Sequence, residues 1–250
     1  MISKKIKMFA MQLINKTISF FTFPIEFLLF RRRLDDDRQF GMEWSDIYPC
    51  LNDKTKQTSF DRHYVYHTAW AVRKVKEINP LFHIDISSSL YFSSILSAFI
   101  PVRFYDYRPA DLKLSGLKSK HTDLTRLHFK SSSIKSLSCM HTVEHIGLGR
   151  YGDHLDTEGD LKAIEELKRV VAPKGNLLFV VPIGKEAKIM FNAHRIYTYS
   201  MVLKYFHGFV LKEFALIPEN NVDGGLIKNP NSRLLKKQKY ACGCFWFIKK

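Results

Sequence analysis

Acidic side chains are scarce in this 250-residue chain: 24 Asp and Glu stand against 39 Lys and Arg, a formal net charge of +15. The excess gathers at Lys4-Lys5-Lys7, Arg31-Arg32-Arg33 and Lys236-Lys237-Lys239. None of these clusters belongs to a recognisable nucleic-acid-binding motif, so that partner has only charge behind it. An anionic membrane surface, a phosphate-bearing substrate or a plain solvated basic surface fits the charge as well. Cysteine is scarce too. Four thiols, Cys50, Cys139, Cys242 and Cys244, in a chain of this length argue against the disulfide framework of a short secreted domain. They suit buried thiols in a reducing compartment, and a cytoplasmic location is expected. Cys242-Gly243-Cys244 has the spacing of a metal pair, but no second Cys/His pair at finger spacing accompanies it. The alternation in YACGCFWFIKK puts both thiols on one strand face, which favours a core strand; no metal is expected. There is no internal repeat or low-complexity tract. Asn15, Lys16, Pro24 and Glu26 interrupt the N-terminal apolar run and no small-residue cleavage site follows, so neither a signal peptide nor a membrane span is well supported.

What is present is an ordinary globular composition, 46% hydrophobic and 25% charged, enough for one α/β domain with a modest appendage. The apolar residues Ile6, Phe9, Ala10, Leu13, Ile14, Ile18 and Phe21 recur at three- and four-residue spacing, which predicts an amphipathic helix in an N-terminal region, residues 1–34. Flanking lysines and the FLLFRRR ending allow it to lie on a membrane surface; packing on its own domain or on a second subunit is the alternative. A polar connector and a helix over Tyr64 to Ile78, closed by Asn79-Pro80, make up residues 35–79. Residues 80–250 then alternate strands and helices: Phe82 to Ile86, Leu90 to Phe99, Val102 to Tyr105, Ile134 to Cys139, Asp160 to Val170 and Asn176 to Pro182. This order predicts parallel pairing with right-handed crossovers. Leu211 to Ile217 and Tyr240 to Ile248 follow as a final strand pair.

The most informative stretch runs from Ser136 to Gly184. It reads SLSCMHTVEHIGLGRYGD, a charged helical run, then RVVAPKGNLLFVVPIG. An apolar strand ends at Glu144-His145, and a helix feeds the next strand through Pro173-Lys174-Gly175. This stretch resembles the later motifs of class I S-adenosylmethionine-dependent methyltransferases. HTVEHIGLGRYGD followed by PIGKEAKIMFNAHR closely resembles the methyltransferase-like family described as domain of unknown function 268, over roughly Asp61 to Lys250. The resemblance implies an α/β, Rossmann-like fold, a mostly parallel sheet with an antiparallel C-terminal edge, and S-adenosylmethionine as cofactor.

The first strand ends in Asp85-Ile86-Ser87-Ser88-Ser89, where the methyltransferase pattern has an acid followed by alternating glycines. Glycine suits that turn because it can demand positive φ and a close approach of backbone to cofactor. Asp85, Ser87 and Ser89 are therefore cofactor candidates with a left-handed serine as the open question. Asp106, one βα unit later, is placed to accept from both ribose hydroxyls; a capping or surface aspartate is the alternative. Asp123 and Leu124 resemble the position that holds the adenine edge; a plain loop aspartate is the alternative. His141 to His145 also spells H-x-x-E-H, but a hydrolytic zinc site needs both histidines on one helix face, and Gly147 and Gly149 oppose a helix there.

In the methyltransferase reading Glu144, His145 and His194 are the catalytic candidates, His145 or His194 taking the acceptor proton. Arg150, Tyr151 and Asp153 in one loop, and Asn192 and Arg195 in another, are candidates for holding an oxygen-rich or sugar-like substrate. Asp61, His63, Tyr64 and His67 form an aromatic, His-containing patch read as packing that borders a cofactor pocket. The expected function is methylation of a small polar acceptor such as a glycan or glycan precursor. A non-catalytic, membrane-surface scaffolding module is the alternative.

Overall fold

The computed structural model describes residues 2–34 and 39–250, with helical side chains from residue 17 onward. Residues 35–38 of the connector, the side chains of Ile6 to Ile14 and those of Lys4, Lys5 and Lys7 lie outside the described residues. The chain divides into two compact units, Met1–Ser59 and Phe60–Lys250.

The first unit is built on α1, Ile2–Arg32, which carries Pro24 inside it. Phe27 is the one buried apolar side chain among its described residues, and its ring packs on Trp44 with centroids 4.4 Å apart. Lys54 pairs with Glu26 at 2.5 Å and Arg31 with Glu43 at 3.7 Å, both exposed. Such surface pairs add ~1 kcal/mol or less each.

The second unit opens with α2, Arg62–Ile78. Asp61 caps it by accepting from the Tyr64 N–H at 3.1 Å, and Asn79 ends it in the left-handed region at φ +48°. The chain then runs through β1 (His83–Ile86), α3 (Leu90–Leu96), β2 (Val102–Asp106), β3 (Leu117–His121), β4 (Ile134–Met140), α4 (Gly159–Val170) and β5 (Val171–Ile183). It continues with the β6–β7 hairpin (Lys188–Met190, His194–Ile196), α5 (Tyr199–Tyr205), β8 (Phe209–Ile217), β9 (Ile227–Lys228), α6 (Ser232–Leu235) and β10 (Ala241–Lys249).

Eight strands form one sheet in the order β3-β2-β1-β4-β5-β10-β8-β9. The first five are parallel; β10 joins β5 and β8 antiparallel, with β9 at the edge. This is the Rossmann-like class I methyltransferase arrangement. Alternation divides the core. Leu177, Phe179, Phe245 and Phe247 meet Ala163, Ile164 and Leu167 of α4 and Phe206 after α5 on one face. Leu178, Val180, Cys242 and Cys244 meet Trp70 and Val75 of α2 and Phe92 of α3 on the other. Trp70 Nε1 and Lys74 Nζ each donate to the Glu213 carboxylate at 2.8 Å, tying α2 to β8.

Several elements differ from the sequence expectation. β3, LKSKH, carries no apolar alternation because it pairs only with β2 and buries only Leu117. β5 begins at Val171, five residues early, and α3 stops at Leu96. The β6–β7 hairpin and α5 were not anticipated.

A buried polar network lies under the first turn. The Ser138 and Ser93 hydroxyls donate to Asp85, and His83 bridges Ser136 and Ser138 at 2.8 and 2.9 Å. Burial raises the Asp85 carboxyl from 3.8 to about 6 and lowers His83 from 6.5 to about 3. A raised carboxyl stabilises the fold fully below the unfolded value, and that contribution is lost as pH rises through 6. The His83 contribution runs oppositely, full above 6.5 and lost on acidification. Replacing Asp85 by Asn removes the first effect alone. The stability deficit of Asp85→Asn should therefore shrink by about 3 kcal/mol between about pH 4 and pH 7, measured by urea unfolding. A deficit independent of pH would show that Asp85 does not titrate in this range.

Candidate functional site

Four strand ends converge on one cavity of about 450 Å³. It is bordered by Ser87 to Ser89 after β1, Asp106 at the end of β2, Thr122 to Thr125 after β3, and Met140 to Thr142 at the end of β4. β1 pairs with β2 on one side and β4 on the other, so the chain order reverses here. In open parallel sheets ligands bind at that crevice, and the volume suits a small molecule or cofactor.

Ser87 sits in the left-handed region at φ +55°. The expected strain is therefore real, about 1–2 kcal/mol for a side chain there. Three hydrogen bonds hold it. The Ser87 N–H and hydroxyl donate to the Tyr105 carbonyl at 2.7 and 3.2 Å, and the Thr142 hydroxyl donates to the Ser87 carbonyl at 2.9 Å. The Ser88 hydroxyl accepts from the Met140 N–H at 3.1 Å. The Asp106 carboxylate accepts the Arg108 N–H at 2.7 Å, its one hydrogen bond among the described residues, while the Asp106 carbonyl accepts the Thr122 N–H at 3.0 Å. Asp123 accepts from the Thr125 N–H and hydroxyl, at 2.8 and 2.7 Å, and buried Leu124 lies beside it. Asp85 does not border the cavity; it supports the turn from below.

A second cavity, about 780 Å³, lies between the start of α2 and the loops after β4 and β6. Asp61, His63, Glu144, Arg150, Asn192 and His194 border it. Tyr64, His141, His145 and Tyr151 border both cavities, so the two chambers share one wall.

Burial governs the chemistry of this wall. Glu144 is fully buried and its carboxyl rises to about 7 for that reason. It accepts from His141 Nδ1 at 2.8 Å, stands 3.9 Å from His145 Nε2, and leaves Oε2 without a hydrogen-bond partner among the described residues. Desolvation lowers His63 and His141 to about 4 and His67 to about 3, and also lowers His145 and His194. The histidines are thus neutral bases at physiological pH. His145 Nδ1–H donates to the Ala193 carbonyl, which leaves the Nε2 lone pair available. Burial pushes the Tyr64 hydroxyl up to about 12, keeping it a donor.

The loop after β4 is rigidly held. Gly147 has φ +81°, and a Cβ there would collide with the Asp156 carbonyl oxygen. Asp153 accepts from the Gly147 and Tyr151 N–H groups at 2.7 and 3.2 Å. Two guanidinium groups lie over the Tyr151 ring, Arg108 at 4.6 Å and Arg150 at 5.0 Å from its centroid. Arg195 borders neither cavity. Its guanidinium donates to the carbonyls of Ile146, Asp156 and Thr157 and pairs with Asp160 at 3.4 Å. It clamps the loop that presents Arg150 and Tyr151.

Sequence reasoning left Tyr107, Arg108, Thr122, Thr125 and Tyr240 out of the site. Tyr107 and Arg108 follow Asp106 directly, a signal available in FYDYRP; Tyr240 carried none. His63 and Tyr64, read chiefly as packing, face the chambers.

Solved structures share the fold. The YcgJ protein from Bacillus subtilis is 11% identical, with a TM-score of 0.50 over 74% of this chain and 99% of its own. The MccD protein is 11% identical, at 0.52 over 74% and 96%. A Burkholderia thailandensis 1,6-didemethyltoxoflavin-N1-methyltransferase, solved with 1,6-didemethyltoxoflavin and S-adenosylhomocysteine, is 8% identical, at 0.52 over 74% and 78%. At such identities the likeness is one of fold. No curated protein matches the chain in sequence. Residues 114–237 match the family described as "Caenorhabditis protein of unknown function, DUF268". This is the DUF268 family that the HTVEHIGLGRYGD and PIGKEAKIMFNAHR segments resemble, and both segments lie inside the match. The DUF268 span holds Glu144, His145, Arg150, Asn192 and His194, while Ser87, Asp106 and His63 fall outside it.

Because Arg195 and Asp160 are both buried, removing the cation strands a carboxylate. Arg195→Met should cost about 3–5 kcal/mol in urea unfolding, and adding Asp160→Asn should recover part of it. Equal costs for the single and double variants would mean that the carbonyl contacts, not the ion pair, carry the clamp.

Proposed function

We propose that the protein is an S-adenosylmethionine-dependent methyltransferase acting on a hydroxyl of a small, oxygen-rich acceptor, a glycan or glycan precursor. The observation that carries this reading is the pair of chambers sharing one wall at the mouth of β4. Asp106, with acceptor capacity to spare, would hold the ribose hydroxyls; Asp123 and Leu124 would hold the adenine; Ser87 to Ser89 would line the remainder. The bound cofactor supplies a methyl group already attached to its leaving group. The chain's own residues then align the acceptor, which in good cases supplies roughly 7–11 kcal/mol. Arg150, Asn192 and Asp61 offer donors and an acceptor to polar oxygens, and Tyr64 and Tyr151 restrict water at the shared wall. His145 Nε2 takes the hydroxyl proton, its ring oriented by the Ala193 carbonyl.

Calorimetry with S-adenosylhomocysteine tests the cofactor half. Asp106→Ala should weaken binding about 10- to 100-fold, the worth of hydrogen bonds to a charged group. His145→Gln should leave that affinity intact and lower methyl transfer by ~10²- to 10⁴-fold. No binding at millimolar ligand would sink the enzyme reading in favour of a non-catalytic module.

We also propose that α1 rests on an anionic membrane surface. Ile18, Phe20, Phe21, Ile25, Leu28, Leu29 and Phe30 are 45–69% exposed, and Arg31-Arg32-Arg33 follow them. No helix among the described residues is long and apolar enough to cross a membrane. Burying such side chains in the headgroup region, with basic residues beside anionic lipid, is the interfacial mode. The full chain should sediment with anionic vesicles more than with neutral ones, and less as salt rises. Replacing Phe20, Phe21 and Phe30 together by Ser should abolish sedimentation; an unchanged bound fraction would assign membrane attraction to charge elsewhere.

A further inference from the structure

We propose that His63, His141 and Cys242 form a binding site for one divalent transition-metal ion, zinc in the first instance, with a fourth coordination position open to the second chamber. The residues come from the first turn of α2, the end of β4 and the start of β10. Antiparallel pairing of Cys242 with Pro182 brings the thiol to the carboxyl end of the parallel strands, where β4 ends. One ligating atom from each residue lies within 4.8 Å of the other two.

The spacing is that of a coordination shell. His141 Nε2 and Cys242 Sγ are 3.4 Å apart. Two ligands on one tetrahedral zinc ion, at ~2.0–2.1 Å for nitrogen and ~2.3 Å for sulfur, stand about 3.6 Å from each other. The remaining gap to His63, at most about 1.5 Å by the same geometry, is within reach of a χ rotation of its half-buried ring.

Orientation agrees. The Glu144 carboxylate accepts from His141 Nδ1–H, which leaves the Nε2 lone pair aimed at the Cys242 sulfur. Carboxylate, imidazole and metal in sequence is the arrangement that fixes a ligating histidine. His67 Nδ1–H donates to the His63 carbonyl and so braces the turn that presents His63. Its own Nε2 is fully buried with no hydrogen-bond partner among the described residues, in a ring 5.0 Å from that of His141. A Cys242 thiol donating to His141 would satisfy that pair, yet leave His63 with no ring hydrogen bond among the described residues. A divalent ion would use both imidazole lone pairs, and its charge would balance the Cys242 thiolate and the Glu144 carboxylate. Three protein ligands with one open position is the pattern of zinc sites that bind water or a substrate oxygen. Cys244, 3.9 Å from Cys242 Sγ, remains a core thiol.

Metal analysis and cobalt substitution of the full chain test the site independently of cofactor binding, since Ser87 and Asp106 are not ligands. One equivalent of zinc should be removable by chelator and restored by zinc alone. Cobalt-loaded protein should show the visible bands of a tetrahedral ion and a thiolate-to-cobalt charge-transfer band. Cys242→Ser should abolish the charge-transfer band and Cys244→Ser should keep it. Glu144→Gln should weaken zinc binding 10- to 100-fold while the bands persist. Absence of saturable zinc binding at micromolar metal, or a charge-transfer band that survives Cys242→Ser, overturns the proposal. If Cys242→Ser does not fold, His63→Ala decides: unchanged zinc affinity there overturns it as well.

Discussion

The pairing of β1 with β2 on one side and β4 on the other is the constraint on which the rest depends. Reversal of the chain order at β1 means that no crossover helix covers the gap above it, so the strand ends open into a crevice. The strand termini deliver three serines, Asp106, Asp123 and His141 to the first cavity, and α2 and the loops after β4 and β6 add the rest. Had β4 joined elsewhere, the same side chains would be scattered capping residues.

The crevice is also where the fold concentrates desolvation. α2 and α3 cover one face of the sheet and α4 and α5 the other, so groups between strand ends and α2 lose water without reaching the apolar core. The consequence is a wall of neutral histidines around a buried carboxylate. Neutral imidazole can accept a proton or hold a metal, and charged imidazole can do neither. The buried Asp85-Ser138-His83 network plays a different part. It stiffens the strands beneath a serine turn that must hold a left-handed conformation without glycine.

Element types were legible wherever burial is periodic or continuous. α2 and α4 announce themselves by a helical stripe, and β4, β8 and β10 by apolar runs that bury side chains on both faces of the sheet. β3 does not, since an edge strand with one neighbour needs only Leu117 inside. The Cys242 and Cys244 face was read correctly from alternation, but nothing in YACGCFWFIKK reports that one of the two thiols ends against a histidine a hundred residues away. Arg195 shows the opposite limit. Its residue type suits a substrate, yet its guanidinium serves three backbone carbonyls and Asp160.

By itself the sequence determined most of the order of strands and helices, the end of α2 at Asn79, the absence of glycine from the first turn and the acid at the end of β2. These are local properties, set by periodicity, φ preference and chain distance. Only the tertiary structure decided that Asp85 lies beneath the cavity rather than in it, that Tyr64 and Tyr151 close a shared wall, and that His63, His141 and Cys242 meet. Those outcomes depend on which strand ends become neighbours, and strand order is chosen by the packing of two faces at once.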